Sequence, residues 1–395
     1  MMHNVTMDLG KINRFRSQHP YIFYLAFIAS LIAIILLISF IQPSSTTGSS
    51  HNTTRNIFPS QRSYAQQYYV SPAGKDTNNG TSEQAAFYSI DKAVSIAEAG
   101  NTINLADGRY DQTISSVKSG TSDKTITIQG SKDAVVGGNP EEGRVVEIMH
   151  DYITLKGFTV DGLSGDGSSK DNYRDKLIYV IGATKHDGVT GLKIIGMTVQ
   201  NAGGECIRLR YFATNNAISN TIIRNCGIFD FGFKGDGKNG EGIYIGTAPE
   251  QRADNKNPTS DIDESNNNRI YRNIIDTFGN ECVDLKEGST GNIVEHNICQ
   301  NQMDEDSAGL DARGGGNTFR YNTSKNNKGA GIRLGGDKDN DGTKNNVYGN
   351  ILENNEAGAI KILRTPQGRI CENVIKYDSD ELNKKYNKHE FTKKC

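Results

Sequence analysis

Tryptophan is absent from the 395 residues, and neither sign of charge is in excess: 44 Lys and Arg face 46 Asp and Glu, for a net −2. A chain so balanced has no general nucleic-acid-binding surface, which requires a basic excess. None of the six cysteines sits in a CxxC pair, which argues against zinc or thiol-redox chemistry. Residues 21–41, YIFYLAFIASLIAIILLISFI, carry no charge at all. As a helix they span roughly 30 Å, one hydrocarbon core. Lys11, Arg14 and Arg16 precede them, which predicts a cytoplasmic N-terminus. No small-x-small cleavage site follows directly, and the apolar run exceeds the ~7–15 residues of a signal peptide. The expectation is an uncleaved, single-pass cell-membrane anchor.

What is abundant is glycine, 43 residues, together with runs of asparagine. Both tolerate left-handed backbone angles, so the chain must turn often. From about residue 190 a pattern recurs: NTIIRNC from Asn220, NRIYRNI from Asn268, NIVEHNI from Asn292, NTFRYNT from Asn317, NNVYGNI from Asn345 and GRICENV from Gly368. A second motif follows each copy, including ECIRLR from Glu205, EGIYIG from Glu241, ECVDLK from Glu281, AGLDAR from Ala308 and AGIRLG from Ala330. The period is near 24, apart from one spacing of 48 that holds an insertion at about 247–267. A repeat of two or three short strands cannot bury its own apolar face, but stacked copies can. A leucine-rich repeat lacks its consensus here, and a propeller blade needs about 40 residues. The predicted fold is all-β: a single-stranded right-handed parallel β-helix. Asn225, Asn273, Asn297, Asn322, Asn350 and Asn373 share a repeat position, which predicts an internal asparagine ladder.

The predicted organisation is a cytoplasmic 1–20, an anchor at 21–41, a polar tether at 42–66, a β-helix at 67–377 and a charged tail or cap at 378–395. Ser89 reads as the cap of a short helix carrying Ile90, Ala93, Val94 and Ala97 on one face. This helix would cover the open end of the solenoid. NTINLADGRY from Asn101 reads as the first strand. Among fifteen cysteine pairings the sequential one is preferred, Cys206–Cys226, Cys282–Cys299 and Cys371–Cys395; the alternative is buried free thiols.

Aligning the second motif stacks side chains into columns ~4.8 Å apart. One reads Arg208, Tyr244, Asp284, Asp311, Arg333, Lys361. The next contains Arg210, Lys286 and Arg313. A third, at the corner before the strand, reads Glu205, Glu241, Glu281. Three stacked carboxylates need a cation or interleaved bases. Calcium suits clustered carboxylates; a salt-bridge lattice is the plainer alternative. DKDNDG at 337–342 offers Asp337, Asp339 and Asp341 as a loop calcium site, although Tyr348 stands where an EF-hand needs glutamate.

The segment YYVSPAGKDTNNGTSEQAAFYSIDKAVSIAEAGNTINLADGRY resembles the N-terminal cap of pectate-lyase-like β-helix proteins. GNECVDLKEG and GLDARGGGNTF resemble the active-site turns of family-six polysaccharide lyases, the chondroitinase B and alginate lyase group. The resemblance covers roughly residues 279–336. It implies Lys286 as base, Arg313 as catalytic arginine and Glu281 as a calcium ligand. The family's second glutamate is Gly279 here and its histidine is Gly314; Glu241, one turn earlier, could replace the missing ligand. The implied chemistry is calcium-assisted β-elimination on a uronic-acid polymer, with Arg208, Arg210, Asp284, Asp311, Arg333 and Lys361 along the substrate track. Uronan epimerisation shares the proton-abstraction step. A non-catalytic surface module that binds cell-surface glycan, or a structural one, is the rival from another class. An open groove over Glu205, Glu241, Glu281, Lys286 and Arg313 would favour catalysis; a cover made by 247–267 or by the tail would favour the binding or structural reading.

Overall fold

The computed structural model describes residues 65–235, 237–386 and 389–395. The expected anchor and nearly all of the tether lie outside the described residues. Among the described residues no helix is long and apolar enough to cross a membrane.

The chain winds through three parallel sheets of 11, 9 and 10 strands. Most strands are only three residues long, because a corner interrupts the chain at every wall. One coil runs through Arg269–Tyr271, Ile274–Asp276 and Val283–Leu285, one strand on each sheet. The middle residue of the first two strands points inward, and both ends of the third do so: Ile270, Ile275, Val283 and Leu285 are all fully buried. Register repeats this from coil to coil. Ile218, Ile270, Val294, Phe319, Val347 and Ile370 pair in succession, so the core is one continuous apolar column. Each such side chain contributes about 1.5–3 kcal/mol, and truncating Ile270 to alanine should cost about 2–5 kcal/mol.

The corners explain the asparagines. Between the first and second strands of a coil, Arg272, His296, Tyr321 and Glu372 all take positive φ, although none is Gly or Asn. The next residue compensates. Asn297 accepts from the backbone N–H of Asn273 at 2.9 Å and donates to the Ile270 carbonyl at 2.9 Å and to Asn322 at 3.0 Å. The run Asn273, Asn297, Asn322, Asn350, Asn373 is a buried amide ladder of this kind. Asn225 is not in it. It lies at a different corner and bonds to Asn201 at 3.0 Å, while Thr221 occupies the preceding rung. The motif at Asn220 is therefore out of register by four residues: Asn216, not Asn220, precedes Asn268, a separation of 52. A second ladder, Asn216, Asn268, Asn292, Asn317 and Asn345, borders the other end of the same strands.

Ser89 Oγ accepts from Lys92 N at 3.2 Å and starts the helix Ile90–Ile96, whose Ile90, Ala93, Val94 and following Ala97 are buried. The helix packs on the strands Gln67–Val70 and Ile114–Ser115. Gln67–Val70, not the strand at Thr102–Leu105, is the first of the solenoid; the two pair in parallel. At the other end the helices Asp380–Tyr386 and His389–Thr392 fold back, and the Phe391 carbonyl accepts both the N–H and the side-chain amide of Asn373, at 3.1 Å each. This gives the last rung of the ladder a partner. The three disulfides are the sequential pairs, with Cα separations of 5.5, 5.7 and 5.3 Å.

Candidate functional site

The 9-stranded sheet carries the charges. Its register places Tyr179, Arg208, Tyr244, Asp284, Asp311, Arg333 and Lys361 in one outward column. Asp284 alternates with inward Val283 and Leu285, yet it is fully buried. Neighbouring side chains and the insertion roof this wall. A groove of about 310 Å³ remains, lined among others by Glu241, Tyr244, Glu281, Lys286, Arg313 and Arg333. Lys286 and Arg313 stand one residue beyond the paired Leu285 and Ala312, which brings them to adjacent coils of the same groove.

Three carboxylates converge there. One oxygen each of Glu241, Glu281 and Asp284 lie within 4.8 Å of one another, and all three residues are buried. Glu241 Oε2 accepts from Gly240 N at 3.0 Å, and Glu281 Oε1 accepts from Ser307 Oγ. Glu281 Oε2 and Asp284 Oδ1 have no hydrogen-bond partner. Lys286 Nζ lies 2.5 Å from Asp284 Oδ2 without a directed hydrogen bond, and 4.7 Å from the centre of the Tyr244 ring. The electrostatics follow from this crowding. Burial, then Glu205, raise the Glu241 carboxyl to about 7, although Lys286 opposes them. Burial, then Asp284 and Glu241, push Glu281 well above the usual carboxylate range. Burial also raises Asp311, to about 6, against the pull of Arg333. For Lys286 burial favours the neutral amine, but Asp284, Tyr244 and Glu281 outweigh it and hold the ammonium well above the ordinary lysine value.

No protein-family model matches the chain. The uncharacterized protein YwoF of Bacillus subtilis (strain 168) is 32% identical over 137 residues, which cover 33% of this chain and 28% of that protein. Among solved structures, the alginate lyase from Paenibacillus sp. str. FPU-7 superimposes with a TM-score of 0.60 at 19% identity, over 80% of this chain and 99% of the lyase. Pectate lyase Pel9A superimposes with 0.51 at 14% identity, over 78% of this chain and 80% of the other. The fold is that of the pectate-lyase-like right-handed parallel β-helices.

On this β-helix the expected site residues divide. Glu281, Lys286 and Arg313 share the groove, and Glu241 joins them. Glu205 does not. Burial favours its protonation, but Arg208 at 2.5 Å and Lys176 at 2.9 Å hold it at about 2. Its place among the carboxylates is taken by Asp284, expected on the substrate track. Arg208 and Arg210 are not on an open track either: each is 2% exposed. Arg208 donates to Gln251 at 2.6 Å, and Arg210 donates to Asn257 and, at 2.6 Å, to Asp254. These partners belong to the insertion, so 247–267 covers this part of the wall. Arg333 is spent on Asp311, and Lys361 donates to the Asp306 carbonyl at 3.0 Å. Asp337, Asp339 and Asp341 do not converge. Asp337 pairs with Arg313, Asp341 accepts from Lys338 N within its own turn, and Asp339 is fully exposed.

Gly279 and Gly314, which replace residues that the resemblance leads one to expect, have no room for side chains. A Cβ would meet the Cys226 carbonyl oxygen at 2.2 Å in the first case and the Ser289 carbonyl oxygen at 2.1 Å in the second. Sequence reasoning placed Glu287 beside Lys286 but not as the partner of Arg313, from which it accepts at 2.8 Å, and it missed Ser307. It also missed Lys176, although extending the Glu205 column back one coil reaches it. For Ser307 no repeat signal exists.

Proposed function

We propose that this protein acts on acidic polysaccharide and cleaves a uronic-acid polymer by β-elimination, assisted by a calcium ion. The observation that carries the reading is the set of three converging buried carboxylates, Glu241, Glu281 and Asp284, in which Glu281 Oε2 and Asp284 Oδ1 lack any partner; Glu241 and Glu281 line one groove with Lys286 and Arg313. Such hard oxygen donors fit calcium, which accepts irregular geometry. When bound, calcium would supply positive charge for the substrate carboxylate and so favour loss of the adjacent proton. In this reading Lys286 removes that proton and Arg313 sits by the carboxylate or the leaving oxygen. Lys286 as described is a proton donor. As a base it must first be released from Asp284, so Asp284 must find its positive partner elsewhere. The two β-helix neighbours, an alginate lyase and a pectate lyase, support the choice of elimination. An epimerase would use the same first step.

One observation favours the second reading, a glycan-binding surface module without catalysis: the insertion covers Arg208 and Arg210 and shortens the exposed basic track. The uncharged segment 21–41 supports an extracellular domain tethered to the membrane in either case. Incubation with alginate, pectate and chondroitin-type polymers, with calcium or with EDTA, separates the two. The expected result is a calcium-dependent rise in ultraviolet absorbance from an unsaturated product. Polymer that binds without any such rise would leave the binding module. A Lys286→Ala protein that retained the wild-type rate would remove Lys286 from the mechanism.

A further inference from the structure

A second cavity, of about 530 Å³, opens on the same corner of the helix, nearer the N-terminus. Arg174 precedes the strand Lys176–Ile181, which lies two coils before Ile243–Ile245 and three before Val283–Leu285. At ~4.8 Å per coil, that puts it about 10–14 Å along the axis from the carboxylates.

Arg174 is 6% exposed. Its Nη1 donates to the Pro140 carbonyl at 2.6 Å, but its Nε has no partner. Among the described residues no carboxylate pairs with its guanidinium. A buried donor without an acceptor is costly, and the guanidinium that carries it lines the cavity. The backbone around it is fixed: Arg174 N donates to the Gly162 carbonyl at 2.9 Å, and its own carbonyl accepts from Gly203 N at 2.8 Å. Two aromatic rings stand beside it. Tyr173 donates its hydroxyl to the Gly167 carbonyl at 3.3 Å and meets the Phe233 ring edge-on at 6.0 Å. Phe229 lies directly over Gly203, where an added Cβ would come within 2.3 Å of the ring. Both rings are half-buried, so each keeps a free edge or face.

The lining charges select the ligand. Four carboxylates, Glu142 and Asp171 among them, face only two cations, Lys170 and Arg174. A polyanion would meet a negative rim. A neutral sugar would not: its hydroxyls accept from Arg174 and Lys170, donate to the carboxylates, and its C–H face packs on an aromatic ring. We propose that this cavity binds a neutral saccharide unit, with the Arg174 guanidinium donating to a sugar oxygen and Tyr173 and Phe229 holding the apolar face. The proposal goes beyond the elimination reading and does not depend on it.

Saturation-transfer NMR on the full-length protein, with neutral tetrasaccharides of glucose, mannose, galactose and N-acetylglucosamine, tests it. At least one of these should receive magnetisation, equally in calcium and in EDTA. Arg174→Met, which preserves most of the side-chain volume, should weaken that binding about ten-fold, and Phe229→Ala should do the same at unchanged melting temperature. If none of the neutral sugars binds, or if an alginate tetrasaccharide competes for the cavity more strongly than they do, the proposal is wrong. Because calcium is irrelevant here and required for elimination, the two can fail separately.

Discussion

Two columns of identical residues run along this solenoid, and they behave in opposite ways. In the amide ladder each asparagine offers an acceptor to the coil before it and donors to its neighbours, as Asn297 does between Asn273 and Asn322. Stacking the same residue is then self-satisfying. In the acidic column Glu205, Glu241 and Glu281 are acceptors only when ionised, and stacking them stores repulsion. The chain neutralises the first with Arg208 and Lys176. It leaves the other two beside Asp284, where Glu281 Oε2 and Asp284 Oδ1 have no partner. One column maintains a corner; the other holds an unmet demand for positive charge.

Exchanging the chemistry of the two columns should break the comparison most severely. Asn297→Asp keeps the acceptor that Asn273 uses but removes both donors. The new carboxylate would face the Ile270 carbonyl and Asn322 Oδ1, at 2.9 and 3.0 Å in the present structure. An uncompensated buried charge should cost about 3–5 kcal/mol, read as a lower urea midpoint at pH 8. A loss below about 1 kcal/mol would mean that the ladder is ornamental.

The pH dependence of the acidic column is next in size. Glu241 and Asp311 titrate near 7 and 6 in the folded chain, against 4.5 and 3.8 for the free groups. A carboxyl whose folded value is raised contributes stability below its unfolded value and loses it as pH rises through the folded value. The metal-free protein should therefore lose stability between pH 4.5 and 7, on the order of 3 kcal/mol from Glu241. Millimolar calcium should flatten that decline. Melting curves in EDTA that rise from pH 5 to pH 8 would contradict the electrostatics described here. The reverse exchange, Glu281→Gln, should stabilise the metal-free protein at pH 7 by about 1–3 kcal/mol, since it removes a carboxyl that folding must keep protonated among like charges, and should abolish the response to calcium.

The two columns also differ in how well they could be read before the fold was known. Core and corners follow the repeat, so the sheets, the cap helix and most of the ladder were legible. The repeat misled only where an insertion broke it: Asn225 mimics a rung because RNC at 224–226 copies the local pattern of RNI at 272–274, four residues out of step. Exposure was the harder quantity. Alternation correctly sent Arg208, Arg210 and Asp284 outward, but outward is not open when 247–267 folds over the wall. Nothing in the period announces where an inserted loop will lie. Nor does it announce that Asp284, from the strand, would replace Glu205, from the corner, in the carboxylate set.

The smallest expected effect concerns the acids that are plentiful yet apart. Asp337, Asp339 and Asp341 sit close in sequence, as a calcium loop requires, but each is already committed or solvated. Asp337 is 59% exposed and pairs with Arg313; Asp341 closes its own turn; Asp339 faces solvent with Arg364 4.0 Å away. Exposed charges of this kind contribute about 0–1 kcal/mol. Asp339→Asn should therefore change stability by less than about 0.5 kcal/mol and leave the calcium-induced rise in melting temperature intact. Proximity in sequence supplies acidic residues, whereas a cation also needs converging buried oxygens that no protein donor has claimed, and Glu281 and Asp284 provide them beside Glu241. Loss of the calcium response in Asp339→Asn, with that response intact in Glu281→Gln, would move the metal to the loop and reverse this ordering.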